Sequence, residues 1–301
     1  MLLNIIHHRN IFFIISGTLI IASVASLFLW GLNLNIDFTG GTLVEVSFIN
    51  QRPAALDVSE LLSGLNFSDA QIQSAGESEL ILRMRSLSEV EHQLLLGGLQ
   101  DKFGADNIVE NRFESVGPII GQELRSKAWI AILLSLLFIV AYVAYSFRHV
   151  SKPVASWKYG IAAVIALFHD IIIVTGIFSM MGHFWGTEIG ILFVTALLTI
   201  LGYSINDTIV VFDRIRENLI YRPKDTFLET INHSVNETII RSINTSFTVL
   251  LVLVALYVFG GTTVRDFVLA LIFGIIFGTY SSIFIASPML IIWQKLSSKK
   301  Y

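Results

Sequence analysis

The sequence predicts a polytopic α-helical membrane protein with six transmembrane helices and one small α+β domain between helices 1 and 2. Three observations carry that expectation. Only 14% of the 301 residues are charged, against about 25% in a soluble domain. Mean hydropathy is +0.71. The apolar residues also fall in long blocks, interrupted by a stretch of ordinary composition between Asp37 and Lys127. A formal net charge of −3 gives no footing for a nucleic-acid surface. With no cysteine, disulfides, thiolate metal sites and cysteine nucleophiles are excluded.

A spanning helix needs about 20 apolar residues to cross about 30 Å of hydrocarbon. Segments 11–31, 128–147, 159–181, 189–212, 243–259 and 267–293 meet or approach that length. A cleaved signal peptide is the weaker reading of the first. Ser23-Val24-Ala25 imitates a cleavage site, but Leu27-Phe28-Leu29-Trp30 carries the apolar run on to spanning length. Short loops rich in Lys and Arg stay cytoplasmic, and long domains are exempt from that rule. One side collects Arg9, Arg148, Lys152, Lys158, Arg214, Arg216, Arg222, Lys224, Arg241, Lys295, Lys299 and Lys300, whereas the short loops opposite hold only Arg265. Both termini are therefore expected in the cytoplasm. The expected organisation is 1–31 for the N-terminus and first span, 32–127 for the outer domain, 128–293 for five more helices with an inner loop at 213–242, and 294–301 for a cytoplasmic tail.

Within the outer domain, 42–49 alternates apolar and polar residues as a strand does. Pro53 precedes a helical stripe over 54–63. Two short strands, 70–74 and 79–84, flank a turn at Gly76, and Ser88-x-x-Glu91 caps a helix over 88–103. A last strand covers 107–116. The order β-α-β-β-α-β is the ferredoxin-like pattern. His92 is the only histidine there and reads as a solvated helix residue, since a metal site needs several convergent donors. No catalytic constellation, metal site or cofactor is expected, and the domain reads as a binding or lever element.

The informative residues are those in the wrong solvent. An Asp or Arg at the centre of a spanning helix costs about 2.5–3.5 kcal/mol on insertion scales. Asn206 and Asp207 stand in the fourth span, His169 and Asp170 in the third, and Arg241 opens the fifth. Arg241 is the nearest basic candidate to pair with Asp207, and a carboxylate beside an arginine can change its proton count as the pair opens and closes. Against this stands a structural role, in which Asp207 bonds a neighbouring helix and Arg241 snorkels to lipid. For Asp170 the structural role leads, as a polar patch with His169. Asp213, Arg214, Arg216 and Glu217 read as a solvated inner face with intrahelical pairs. Phe227, Leu228, Ile231, Val235 and Ile239 form one stripe, capped by Thr226-x-x-Glu229, and read as a short helix at the membrane interface. Gly274-x-x-x-Gly278, followed by Ser281, Ser282 and Ala286, reads as a small-residue packing face.

Asp37-Phe38-Thr39-Gly40-Gly41 follows the first span, and Gly117-Pro118 with Gly121, Glu123 and Leu124 precedes the second. His169-Asp170, the whole run 202–218, Asn236-Glu237-Thr238, Arg241-Ser242 and Thr245-Ser246 complete a set that covers nearly the entire chain. Together they resemble the SecD/SecF family of bacterial protein export, on its SecF side. The resemblance implies a cell inner membrane location and no enzymatic activity. It also implies a separate SecD partner, completing a twelve-helix unit of the resistance-nodulation-division superfamily type. That unit associates with the SecYEG channel, and often with YidC and YajC, and uses the proton-motive force to complete translocation of a preprotein. In the family, the positions matching Asp207 and Arg241 contribute to the ion pathway. Asn206 is a further ion-pathway candidate of this chain, His169 and Asp170 are secondary candidates, and Asp37, Gly40 and Gly41 form a structural motif. Two alternatives stay open. One is half of a small-molecule or lipid exporter of the same architecture. The other is an intramembrane aspartyl protease using Asp170 and Asp207, although the glycines of such motifs are missing here.

Overall fold

The protein is described here by a computed structural model covering residues 4–147, 155–222 and 224–298. Arg148, Lys152, Lys299 and Lys300, counted above among the inner charges, lie outside the described residues, as does Pro223. Between α1 (Arg9–Leu29) and α5 (Pro118–Ser146) come α2 (Ile36–Thr39), β1 (Gly41–Phe48), α3 (Ala55–Gly64), β2 (Gln71–Ala75), β3 (Glu79–Met84), α4 (Glu89–Phe103) and β4 (Ile108–Val116). After α5 follow α6 (Ser156–Trp185), α7 (Ile191–Tyr221), α8 (Phe227–Phe259), α9 (Thr262–Ser281), a π-helical turn (Ser282–Ala286) and α10 (Ser287–Ser298). Six helices among the described residues are long and apolar enough to cross a membrane, the last running Thr263–Lys295 through the π turn. The chain divides into two units, Leu34–Trp129 and Met1–Asn33 with Ile130–Tyr301.

In the smaller unit the four strands form one antiparallel sheet in the order β2-β3-β1-β4, which is the ferredoxin-like arrangement. Alternate side chains of a strand share a face. Val44, Val46 and Phe48 of β1 therefore line up with Leu80, Leu82 and Met84 of β3, all buried against Val58 and Leu62 of α3 and Leu95 and Leu99 of α4. The Ser88–Glu91 capping box forms at the start of α4.

His92 departs from expectation. It is buried rather than solvated, its Nε2 lies 2.9 Å from Glu110 Oε1, and its ring stacks on Phe113. The reason is a break in register: β4 skips Asn111 between the pairs Glu45–Arg112 and Val46–Glu110. That bulge leaves Glu110 opposite Val46, whose side chain lies in the core, and His92 on α4 gives the carboxylate its partner.

The segment 37–41 is held by backbone-to-backbone contact. Asn35 caps α2 by accepting from the Asp37 amide at 2.9 Å and donates from Nδ2 to Asp37 Oδ2 at 3.1 Å. Gly40 takes φ +73° and ψ 161°, a combination open essentially to glycine alone, and a Cβ there would lie 2.7 Å from Pro118 Cα. Gly41 faces the Met84 carbonyl oxygen at 2.8 Å from the same imaginary atom. Gly40→Ala should therefore cost about 1–3 kcal/mol for the backbone conformation alone, read as a lower thermal midpoint of the purified protein. Gly64→Ala, where a Cβ meets nothing within 4 Å, is the control expected to stay within error.

In the helical unit, the segment 213–242 differs from the inner loop expected of it. α7 continues to Tyr221, and α8 starts at Phe227 and runs unbroken to Phe259. The stripe assigned to a membrane-interface helix is the first part of α8. Phe227, Ile231 and Val235 are buried in the same core as Phe212 and Ile215 of α7 and Ile6 of the N-terminal segment. Arg214 does pair with Glu217 within α7, yet it also bridges to Glu237 of α8 at 2.6 Å, and Asn218 bonds both Glu237 and Ser234. Asp213 and Arg216 keep the expected exposed intrahelical pair, while the bonds of Arg214 and Asn218 add a helix–helix seam beside it.

Candidate functional site: two buried carboxylates

Both acids stand near the middle of long helices, Asp170 in the 30-residue α6 and Asp207 in the 31-residue α7. The mid-helix position of Asp207 follows from the continuation of α7 past Phe212, where the apolar run ends. Asp170 is fully buried, His169 is 2% exposed and Asp207 is 9% exposed.

Each carboxylate is held by hydroxyls from two other places in the fold. Asp207 accepts from Ser242 of α8 at Oδ1, 2.6 Å, and from Ser282 of the π turn at Oδ2, 2.9 Å. Asp170 accepts at Oδ2 from Ser204 of α7, 2.6 Å, and from Ser281 of α9, 2.9 Å. Its Oδ1 lies 2.9 Å from His169 Nδ1. The two donors from the sixth spanning helix are consecutive residues, at the point where α9 passes into the π turn. Single-turn π-helical insertions recur at functional sites.

The small-residue face makes this reach possible. A Cβ on Gly274 would lie 2.1 Å from Ile200 Cγ1, and one on Gly278 would lie 3.0 Å from Ser204 Cβ. α7 and α9 thus approach closely enough for a side chain as short as serine to span the gap. The packing role expected of that face is present, its partner is α7, and its two serines also bond the acids. A hydroxyl thread leads away from Asp207: Ser282 also lies 3.0 Å from the Thr279 carbonyl, Thr279 Oγ1 lies 2.5 Å from Ser246, and Ser246 lies 3.1 Å from the Tyr203 hydroxyl. Ser246 and Thr279 also line a largely apolar groove of about 260 Å³ between α8 and α9.

The structure brings Asp170 and His169 together and separates others. Among the described residues Arg241 makes no salt bridge with Asp207, although its charge lies within electrostatic reach of that carboxylate, and its side chain is exposed. The next residue, Ser242, takes the contact instead, because neighbouring helix positions point about 100° apart. Asn206 is exposed for the same reason, turned away from the side that buries Asp207. The acids do not bond each other, since four different serines and His169 occupy their oxygens. That is not the shared-proton dyad of an aspartyl protease.

Residues 99–296 match the family described as protein export membrane protein SecD/SecF, C-terminal, and residues 26–48 match the SecD/SecF GG motif. The chain belongs to the SecD/SecF family. Its similarity is to the SecF side: it is 43% identical to the protein translocase subunit SecF of Thermobaculum terrenum over 97% of this chain and 94% of that one. To the same subunit of Anaerolinea thermophila it is 40% identical over 97% and 94%. It superimposes on the crystal structure of SecDF, a translocon-associated membrane protein from Thermus, with a TM-score of 0.83 and 34% identity, covering 98% of this chain and 39% of that one. Against SecDF in a super-membrane-facing form the TM-score is 0.71, with 100% of this chain and 40% of that one covered. The family match spans both acids and all four serines, and the GG-motif match includes Asp37, Gly40 and Gly41.

Proposed function

We propose that this chain is the SecF-type subunit of the Sec export machinery, working with SecD to let the proton-motive force complete protein translocation, without catalysing a covalent reaction. The relatives are named as translocase subunits, and the solved relatives are SecDF chains of which this one spans about two fifths, which supports SecD as its partner. In this reading the protein lies in the inner membrane with both termini cytoplasmic and 32–127 outside. It meets the SecYEG channel, with YidC and YajC as further neighbours.

One observation carries the mechanism. Asp207 is buried at mid-helix and held by neutral hydroxyls from two other elements rather than locked to a fixed cation. A carboxylate accepts two hydroxyl protons well, whereas a neutral acid accepts them less well and donates one of its own. Gain or loss of a proton at Asp207 therefore changes how α7 holds α8 and the π turn, which is what ion flow must do to bias a conformational equilibrium. Arg241, one residue from Ser242, supplies in this proposal a charge that approaches Asp207 in another state of the cycle. Asn206, exposed next to Asp207, belongs in this proposal to the same ion pathway. Asp37, Gly40 and Gly41 set the rigid entry to the outer domain.

The test is reconstitution. Membranes depleted of SecD and SecF should regain proton-motive-force-stimulated release of a preprotein when this chain and its SecD are supplied together, and neither should suffice alone. Restoration without SecD would contradict the proposal. Transport of a lipid or drug by the purified pair, with no Sec channel present, would favour the exporter reading.

A further inference from the structure

The Asp207 reading leaves the second buried cluster unused. His169, Asp170, Ser204 and Ser281 form a closed polar group inside the helical unit, and its chemistry is more than that of a polar tie. Oδ2 of Asp170 takes two hydroxyl donors, so the place left for an exchangeable proton is between Oδ1 and His169 Nδ1, 2.9 Å apart. The far nitrogen of that ring, Nε2, is buried with no hydrogen-bond partner among the described residues. An imidazole with one nitrogen on an acid and the other unengaged can pass a proton through itself. Nε2 accepts a proton, the Nδ1 proton moves to Asp170 Oδ1, and a neutral ring now protonated at Nε2 faces a neutral acid. The pair gains one proton and loses one negative charge.

The link to Asp207 is the serine pair. Ser281 has one proton and two acceptors, Asp170 Oδ2 at 2.9 Å and the Gly278 carbonyl at 3.1 Å. Ser282 is built alike, with Asp207 Oδ2 at 2.9 Å and the Thr279 carbonyl at 3.0 Å. When an acid becomes neutral, its serine turns to the carbonyl one turn back, and such back-bonding bends helices. Both choices act on the same stretch of backbone, where α9 becomes the π turn. We propose that His169–Asp170 is a second proton-exchanging station in the bundle, coupled to Asp207 through the adjacent hydroxyls of Ser281 and Ser282. This inference rests on Asp207 as the ion-responsive acid and adds a second site with its own chemistry.

α6 packs against α1, α7, α9, the π turn and α10. α1 carries Arg9 at its start, and α7 carries Asp207 and Tyr203. α9 brings Tyr280, whose ring stacks on His169 at 6.0 Å and whose hydroxyl is tied to Ser16 and the Phe12 carbonyl of α1. α10 has Lys295 in its last turn. None of the bonds given to the Asp170 oxygens comes from these groups.

The test is an infrared pH titration of the full chain, assembled with SecD in lipid. The carboxyl band removed by Asp207→Asn reports Asp207, and its midpoint is compared in Asp170→Asn and Ser281→Ala. A coupling free energy of ordinary size changes proton affinity by about 5-fold or more, so both substitutions should displace the midpoint to that extent. A second carboxyl band, absent from Asp170→Asn and altered by His169→Gln, should also respond to pH. A midpoint unmoved in Ser281→Ala, which keeps every ionisable group, overturns the coupling even where Asp170→Asn fails to assemble. A band for Asp207 that titrates while ignoring both substitutions overturns this inference alone. No titrating Asp207 band at any pH removes it together with the function proposed above.

Discussion

Asp207→Asn should abolish the ion-driven stage of export while leaving the protein folded and bound to SecD. Asparagine has the shape of aspartate. Its oxygen can accept from one of Ser242 and Ser282, and its amide can donate to the oxygen of the other, because a hydroxyl both donates and accepts. The two helix-to-helix bonds at 2.6 and 2.9 Å therefore have counterparts in the variant, and assembly, read by co-purification and size-exclusion chromatography, should match the parent. What disappears is the second charge state. Moving one elementary charge through the membrane field is worth about 2.3 kcal/mol per 100 mV, and a side chain fixed as neutral can take up none of it. Preprotein release in energised vesicles should fall to the level seen without a proton-motive force. Release at the parental rate would contradict the mechanism.

The second large effect is structural and lies at the seam of α6 with α1, on the same helix as Asp170. A Cβ on Gly176 of α6 would sit 2.2 Å from Ser23 Cβ and 2.5 Å from Ser23 Cα of α1, so backbone rather than a flexible tip must move. Helices in lipid associate by close packing and hydrogen bonds, with little hydrophobic drive. This seam has both: Ser26 donates to the Gly176 carbonyl at 3.0 Å, and Ser179 of α6 to the Gly31 carbonyl. Gly176→Val should force the pair apart, at the upper end of the about 1–3 kcal/mol typical of overpacking. Little folded protein should accumulate in the membrane, and what is recovered should unfold at a clearly lower temperature. Gly160→Ala on the same helix, where a Cβ meets its nearest neighbour at 3.9 Å, should behave as the parent does.

These two residues also show what can be read from sequence and what cannot. The acids declare themselves because a carboxylate inside an apolar run is costly wherever the helix points. The element order of the outer domain and both capping boxes, Ser88–Glu91 and Thr226–Glu229, rest on local spacing, which sequence carries directly. Facing does not declare itself: Arg241 and Ser242 are adjacent, and only the packed helix shows that the serine meets Asp207. Ser281 and Ser282 read as packing residues because their acceptors lie 111 and 75 positions away. The polar run ending α7 and the stripe opening α8 look like surface until Glu237 closes on Arg214. His92 looks solvated until the bulge in β4 sets Glu110 beneath it.

The most direct measurement is infrared difference spectroscopy on the assembled, preprotein-engaged complex as the proton-motive force is switched on and off. The account predicts a carboxyl signal that comes and goes with energisation during export and vanishes in Asp207→Asn. Export proceeding at full rate with that carboxyl in one protonation state throughout would contradict it.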